Sequence, residues 1–222
     1  VPVDMELFVK GSVMPYVSRG GLKLEKALKY FDITMTDRVM VDIGSSTGGF
    51  TDCALQNKAK RVYAVDVGTN QLVWKLRNDS RVVVKEKTNF RHATTDLFEY
   101  ELPNIATIDV SFISLKLIFE PLKDILNDGD DIVALIKPQF EAGREDVGKK
   151  GIVKDAKIHQ RVIENVISYA NECQFSIQNL TYSPITGGEG NIEFLAHFKV
   201  GGTNSLLQVE QVVQEAHDCF KG

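Results

Sequence analysis

Two charged residues stand where the surrounding sequence is apolar: Lys137, between the run Asp131–Ile136 and Pro138, and Glu193, inside the run Ile192–Ala196. Charged groups in such places must be paired or functional, because an isolated buried charge is strongly unfavourable. Asp109 closes another apolar run, and Lys23 supplies a second cation nearer the start. Methyl transfer to a ribose hydroxyl asks for such a set, since a sugar hydroxyl is a poor nucleophile. A charged lysine stabilises the developing alkoxide, and a neutral one can take the proton. The carboxylates would orient the lysines and balance their charge. In-line placement of the hydroxyl against the methyl supplies much of the acceleration.

The segment Asp42-Ile43-Gly44-Ser45-Ser46-Thr47-Gly48-Gly49-Phe50 follows one strand-like run and precedes a helical one. Glycine at 44 lets the backbone turn and approach a ligand, and Gly48 and Gly49 open a helix N-terminus whose free amides favour an anion. The carboxylate of a methionyl group fits there. Serine at 46 breaks the Gly-x-Gly-x-x-Gly dinucleotide fingerprint, and no Gly-Lys-Ser/Thr ending marks a phosphate loop. Asp66, followed by Val67, ends the next strand-like run, where a carboxylate can accept hydrogen bonds from ribose hydroxyls. Asn89 is placed to meet an adenine edge and Asp109 to lie beside a sulfonium. Alone, Asp42 or Asp66 would read as a helix cap or turn former. Glycine loop plus acidic strand end favours a cofactor, S-adenosyl-L-methionine, contacted by Asp42, Gly44, Ser46, Thr47, Gly48, Gly49, Phe50, Asp66, Val67, Asn89 and Asp109.

The elements that must position these residues follow from periodicity. Strands are predicted over 39–43, 61–65, 82–84, 105–109 and 131–136, with helices over 21–31, 51–56, 71–77, 113–126 and 155–173. Ser18 is the expected cap of the first helix and Asp155 that of the long one. Residues 139–153 read as a charged, glycine-rich loop. Runs 176–186 and 192–200, around the turn 187–190, predict a hairpin that adds an antiparallel strand at one sheet edge, with a closing helix over 205–220. The fold expected is α/β, Rossmann-like, with a mostly parallel sheet and helices on both faces.

Composition narrows the function classes. With 222 residues, 43% hydrophobic and 25% charged, the chain suits one soluble domain. No apolar run approaches the roughly 18–20 residues that span a bilayer, so no membrane role is expected. Cys53, Cys173 and Cys219 are scattered without ligand spacing, which suggests neither disulfide nor metal and fits a reducing cytoplasm. Net charge is −4, yet basic residues cluster at Arg19, Lys23, Lys26 and Lys29 and at Arg144, Lys149, Lys150, Lys154, Lys157 and Arg161. Charge runs are usually solvated helix faces. The alternative is RNA contact, for which Arg19, Lys26, Arg144, Lys149, Lys150 and Lys154 are the candidates, with 144–151 as a lid. His92, His159, His197 and His217 need no catalytic role. Trp74 is expected in the core, and Phe50 fits either under the cofactor or under the sheet.

Taken together, Ser18-Arg19-Gly20-Gly21-Leu22-Lys23-Leu24, Asp42–Asp52, Asp109-Val110-Ser111-Phe112-Ile113-Ser114-Leu115, Ile136-Lys137-Pro138-Gln139-Phe140-Glu141 and Gly190-Asn191-Ile192-Glu193 resemble the hemolysin A-like (TlyA) ribosomal RNA methyltransferases, relatives of the FtsJ-type 2′-O-methyltransferases. The resemblance spans nearly the whole chain in order. It implies a Lys-Asp-Lys-Glu tetrad at Lys23, Asp109, Lys137 and Glu193, of which the residues alone name Lys137 and Asp109 but not the full set, with cytidine ribose in ribosomal RNA or ribosomal subunits as substrate. It also implies a small RNA-binding domain ahead of a lead-in over residues 1–20, with the methyltransferase domain over 21–222. Three other readings compete: methylation of a small molecule or protein, which needs neither Lys23 nor the basic clusters; a cytolytic protein, for which no inserting helix is visible; and a binding domain without catalysis.

Overall fold

Runs of β-branched residues alternate with amphipathic stretches along most of the chain, and the computed structural model, which describes residues 11 and 13–221, folds them into one seven-stranded sheet. Strands β1 (Val39–Ile43), β2 (Arg61–Val65), β3 (Val82–Lys85), β4 (Ile105–Ile108) and β5 (Asp131–Ile136) are parallel. The hairpin β6 (Phe175–Tyr182) and β7 (Phe194–Val200) closes the edge beyond β5. The order is β3-β2-β1-β4-β5-β7-β6, with β7 antiparallel to both neighbours. The reversal at β7 matters for the site, because the chain enters that strand at the end where the parallel strands finish.

Side-chain alternation makes two cores. Val39, Val41 and Ile43 of β1, Ala106 and Ile108 of β4, Ile132, Ala134 and Ile136 of β5 and Phe194, Ala196 and Phe198 of β7 face one side. There they meet helices α4 (Lys116–Leu122), α6 (Ala156–Glu172) and α7 (Val209–Cys219) through Ile118, Phe119, Val162, Val166 and Val213. Met40, Ile105, Val133, Leu135 and Leu195 face the other side, against α1 (Gly20–Tyr30) and α2 (Gly49–Gln56) through Leu24, Leu28, Phe50 and Ala54. Each fully buried aliphatic side chain of this kind contributes about 1.5–3 kcal/mol.

Several sequence expectations change. Ser18 does not cap α1 with its side chain; its carbonyl oxygen accepts from Gly21 N–H at 3.2 Å, and Arg19 is the capping residue. Of the expected lead-in, positions 1–10 and 12 lie outside the described residues. Residues 15–17 already belong to the fold: Gln56 Nε2 donates to Pro15 O and Val17 N to Asp52 Oδ2, both at 2.9 Å. Trp74, on the one-turn helix α3 (Trp74–Arg77), is 78% exposed, because so short a helix turns only Leu76 inward. The segment after β5 is not all loop. Pro138, at the first helical position, starts the short helix α5 (Pro138–Glu141). Asp155 caps α6 as expected, accepting from Lys157 N at 2.8 Å. No helix among the described residues is long and apolar enough to cross a membrane.

Candidate active site

The loop after β1 is shaped by contacts that exclude side chains. Gly44 has φ +84°, and a Cβ there would lie 2.0 Å from the carbonyl oxygen of Asp109. The loop therefore passes directly against the end of β4. At Gly48, φ is +108° and a Cβ would lie 2.3 Å from Leu76 Cδ1. Asp66, ending β2, is clamped by backbone amides: its Oδ2 accepts from Ser46 N and its Oδ1 from Gly68 N, each at 2.8 Å. Each oxygen keeps further acceptor capacity, and Asp66 lines a cavity beside the loop.

Two cavities meet at this loop. The larger, about 360 Å³, is lined by Gly44, Ser46, Asp66, Val67, Asn89, Asp109 and the segment 110–113. The smaller, about 200 Å³, is lined by Ser18, Gly20, Lys23, Ser45, Thr47, Gly49 and Phe50. Gly44, Ser46 and Asp109 border both. A bent ligand with a nucleoside half and an amino-acid half matches that division, so the residues present fit S-adenosylmethionine. Asn89 Oδ1 accepts from Arg91 N at 3.1 Å, which leaves its amide nitrogen as the free end.

Two candidate contacts sit elsewhere. Gly48 lines neither cavity, and its part is the left-handed turn. Asp42 is buried beneath the loop, where Thr51 Oγ1 donates to Oδ2 at 2.7 Å and Thr107 Oγ1 to Oδ1 at 3.4 Å. Burial raises its carboxyl to about 7 despite these two bonds. Asp42 thus supports the loop from below and does not face a ligand.

The reactive residues converge on the sheet's carboxyl edge. Lys137 Nζ lies 2.6 Å from Asp109 Oδ1 and donates to Ser111 Oγ at 3.2 Å. Lys23 Nζ, on α1, lies 2.9 Å from Glu193 Oε2, and the two residues are only 8% and 2% exposed. Glu193 stands just ahead of β7, which the antiparallel hairpin brings beside Lys137. Lys23 and Asp109 border the same small cavity, so each ion pair puts one member on its wall, while Lys137 and Glu193 line neither cavity.

The basic residues divide. Arg19, Arg144, Lys149, Lys150 and Lys154 are exposed. Lys149, Lys150 and Lys154 line an open concavity of about 460 Å³, together with Glu145, Asp146 and Asp155. Lys26 is half-buried and already engaged within the fold. It donates to Tyr182 O at 2.6 Å and sits 3.6 Å above that ring, and burial lowers its pKa. Two residues escape recognition as site components in the sequence. Phe112, 88% exposed with φ +62°, packs at a tilt against Phe140, ring centroids 4.7 Å apart, at the mouth of the larger cavity. An aromatic three residues past a strand-end aspartate is the available signal. The other is Gln139, which touches Glu193.

Comparison with known proteins decides the family, since the FtsJ-like methyltransferase family model matches residues 16–200. The chain belongs to the FtsJ-like methyltransferases. Among its relatives, YqxC of Bacillus subtilis, named as a candidate rRNA methyltransferase, is 58% identical over 98% of this chain and 80% of its own length. The 16S/23S rRNA (cytidine-2′-O)-methyltransferase TlyA of Mycobacterium tuberculosis is 41% identical over 84% of this chain and 69% of its own. The solved structure of a protein described as a hemolysin from Streptococcus thermophilus superposes with TM-score 0.92 at 56% identity, covering 95% of this chain and 78% of that one. The chain is thus an S-adenosylmethionine-dependent RNA methyltransferase on the expected fold.

Among the described residues of this methyltransferase, no group of three or more His, Cys, Asp or Glu is placed to hold a metal. Three of the four histidines, His159, His197 and His217, are held in structural contacts. His159 is buried between Val153 O and His217, each 2.9 Å away, and burial lowers its pKa to about 4. His197 pairs with Asp131 at the opposite sheet edge.

Proposed function

We propose that this methyltransferase, with 21–222 as its catalytic unit, methylates the 2′-hydroxyl of a cytidine in ribosomal RNA. The observation that carries the reading is the pair of lysine–carboxylate contacts, Lys137–Asp109 and Lys23–Glu193, each with one member on the wall of one cavity beside the glycine loop. Bound S-adenosylmethionine supplies a methyl group on a sulfonium centre. Asp66 holds the ribose end of the cofactor, and the amides after Gly48 receive its carboxylate. Lys137, whose partner Asp109 borders both halves, would balance charge on the hydroxyl oxygen when charged and accept the hydroxyl proton when neutral. Asp109 and Ser111 fix the direction of its ammonium. Lys23 and Glu193 hold the far side of the same space. Arg19, Arg144, Lys149, Lys150 and Lys154 give phosphates a basic approach, and Phe112 offers a face for a base.

The cytidine reading draws on the relatives named for that activity. The test incubates the protein and its Lys137→Ala variant with ribosomal subunits and radiolabelled S-adenosylmethionine, then maps the modified sugar. Label at a cytidine 2′-O position, lost in the variant while cofactor affinity is kept by calorimetry, is the expected result. Label on protein or free small molecules, or undiminished activity in Lys137→Ala, would overturn the proposal.

A further inference from the structure

Helix α5 brings more to the site than the lysine that precedes it. Gln139, two residues after Lys137, donates from Nε2 to Glu193 Oε1 at 3.1 Å, while Lys23 holds the other carboxylate oxygen at 2.9 Å. The two contacts grip Glu193 from opposite sides. The carboxylate cannot swing away, because the backbone of Gly187 is packed against it: a Cβ at 187 would lie 1.9 Å from Oε1. The remaining amide atom is unusual. Gln139 Oε1 is buried and meets no hydrogen-bond donor among the described residues. Turning the amide over would set this oxygen against the carboxylate, so the orientation is determined by Glu193. A buried acceptor without a donor carries a desolvation penalty that a leucine of similar volume would avoid. Stability alone gives no reason for glutamine here.

We infer that Gln139 is a positioning residue for the reaction: its N–H fixes the Glu193 carboxylate so that Lys23 is aimed into the shared cavity. Because Gln139 and Lys137 flank Pro138 on one rigid turn, the same backbone holds both ion pairs in a single register. The inference rests on the ribose-methylation reading above. It extends that reading from four residues to a fifth that, like Lys137 and Glu193, lies on neither cavity wall.

The test compares Gln139→Leu and Gln139→Glu with Lys137→Ala and Glu193→Gln, measuring kcat, both KM values, cofactor affinity and Tm. Gln139→Leu is expected to lower kcat about 10- to 100-fold, by analogy with removing the hydrogen-bonded partner that orients a metal ligand. KM for RNA and cofactor affinity should stay unchanged. Tm should stay within about 3 °C, since a broken hydrogen bond and a removed orphan acceptor offset each other. Gln139→Glu keeps size and polarity but cannot donate when ionised and repels Glu193, so it should be at least as impaired. Wild-type turnover in Gln139→Leu or Gln139→Glu, with Glu193→Gln impaired, overturns the assignment to Gln139 alone. A loss confined to KM or Tm makes the residue merely structural and also overturns it. Wild-type activity in both Lys137→Ala and Glu193→Gln removes the ribose reading and the inference together.

Discussion

Strands β5 and β7 carry an ion cluster at each end, and the two clusters are built differently. At the amino edge, Asp131 is surrounded: Arg38 reaches Oδ2 at 2.9 Å, and His197 and Lys199 reach Oδ1 at 2.7 and 3.1 Å. Arg38 also donates to Asn104 Oδ1 at 3.0 Å, and the His197 ring stacks on Phe31 at 5.5 Å. Burial pushes the Asp131 carboxyl up, but the bonds from His197, Arg38 and Lys199 outweigh it and hold the group well below the usual carboxylate range. At the carboxyl edge each lysine has one carboxylate, and one member of each pair, Lys23 and Asp109, borders a cavity. One cluster closes the sheet with several partners to one acid. The other keeps one lysine and one carboxylate, Lys23 and Asp109, on a cavity wall, which is the condition for acting on a substrate.

Lys137→Ala is the sharpest way to test that contrast. Methyl transfer should fall roughly 10²- to 10⁴-fold, with Tm and cofactor affinity close to the parent. Asp131→Ala should do the reverse, leaving turnover per folded molecule intact while lowering stability by roughly 3 kcal/mol, because it strands paired cations. Denaturant unfolding at neutral pH would measure the loss. The sign with pH is fixed by the depressed carboxyl: its stabilisation is present above about pH 4 and disappears as pH falls, so parent and variant should converge in acid. Equal stability of parent and Asp131→Ala at pH 7 would remove the structural role given to the amino edge.

Gly44→Ala tests the point where the loop meets β4. The Cβ collision with Asp109 O must push the two apart, and cofactor affinity should drop by about 10-fold or more, or 1.4 kcal/mol, by calorimetry. Asp42→Asn probes the support beneath. A raised carboxyl means the folded state holds its proton more tightly than the unfolded chain. Asp42 therefore withdraws stability as pH rises from the ordinary carboxylate range toward 7. The asparagine variant should show a flatter stability profile between those limits and gain relative to the parent at pH 8. The smallest effect belongs to the surface. Lys149→Ala combined with Lys150→Ala should weaken RNA binding and reduce the salt slope by about 1 for each phosphate no longer neutralised, with the rate on bound RNA unchanged.

Much of this architecture is legible before folding. The alternation of β-branched runs and helical stretches marks the five parallel strands, and the glycines at 44 and 48 mark a turn that admits no side chain. Asp66 is recognisable because a carboxylate at a strand end has a local signature. Local sequence determines such features because backbone sterics and side-chain period act over a few residues. Long-range partners are different. The spacing of Lys26 groups it with the RNA contacts, yet Tyr182 takes it. Trp74 reads as a core residue, and the shortness of α3 leaves it outside. That Lys23 meets a carboxylate 170 positions away follows from β7 entering the sheet in reverse beside β5, and so does the grip of Gln139 on the same group. The residue types by themselves determined which chemistry was possible. Only tertiary structure decided which charges became neighbours, because strand order, unlike strand identity, is settled by packing across the whole sheet.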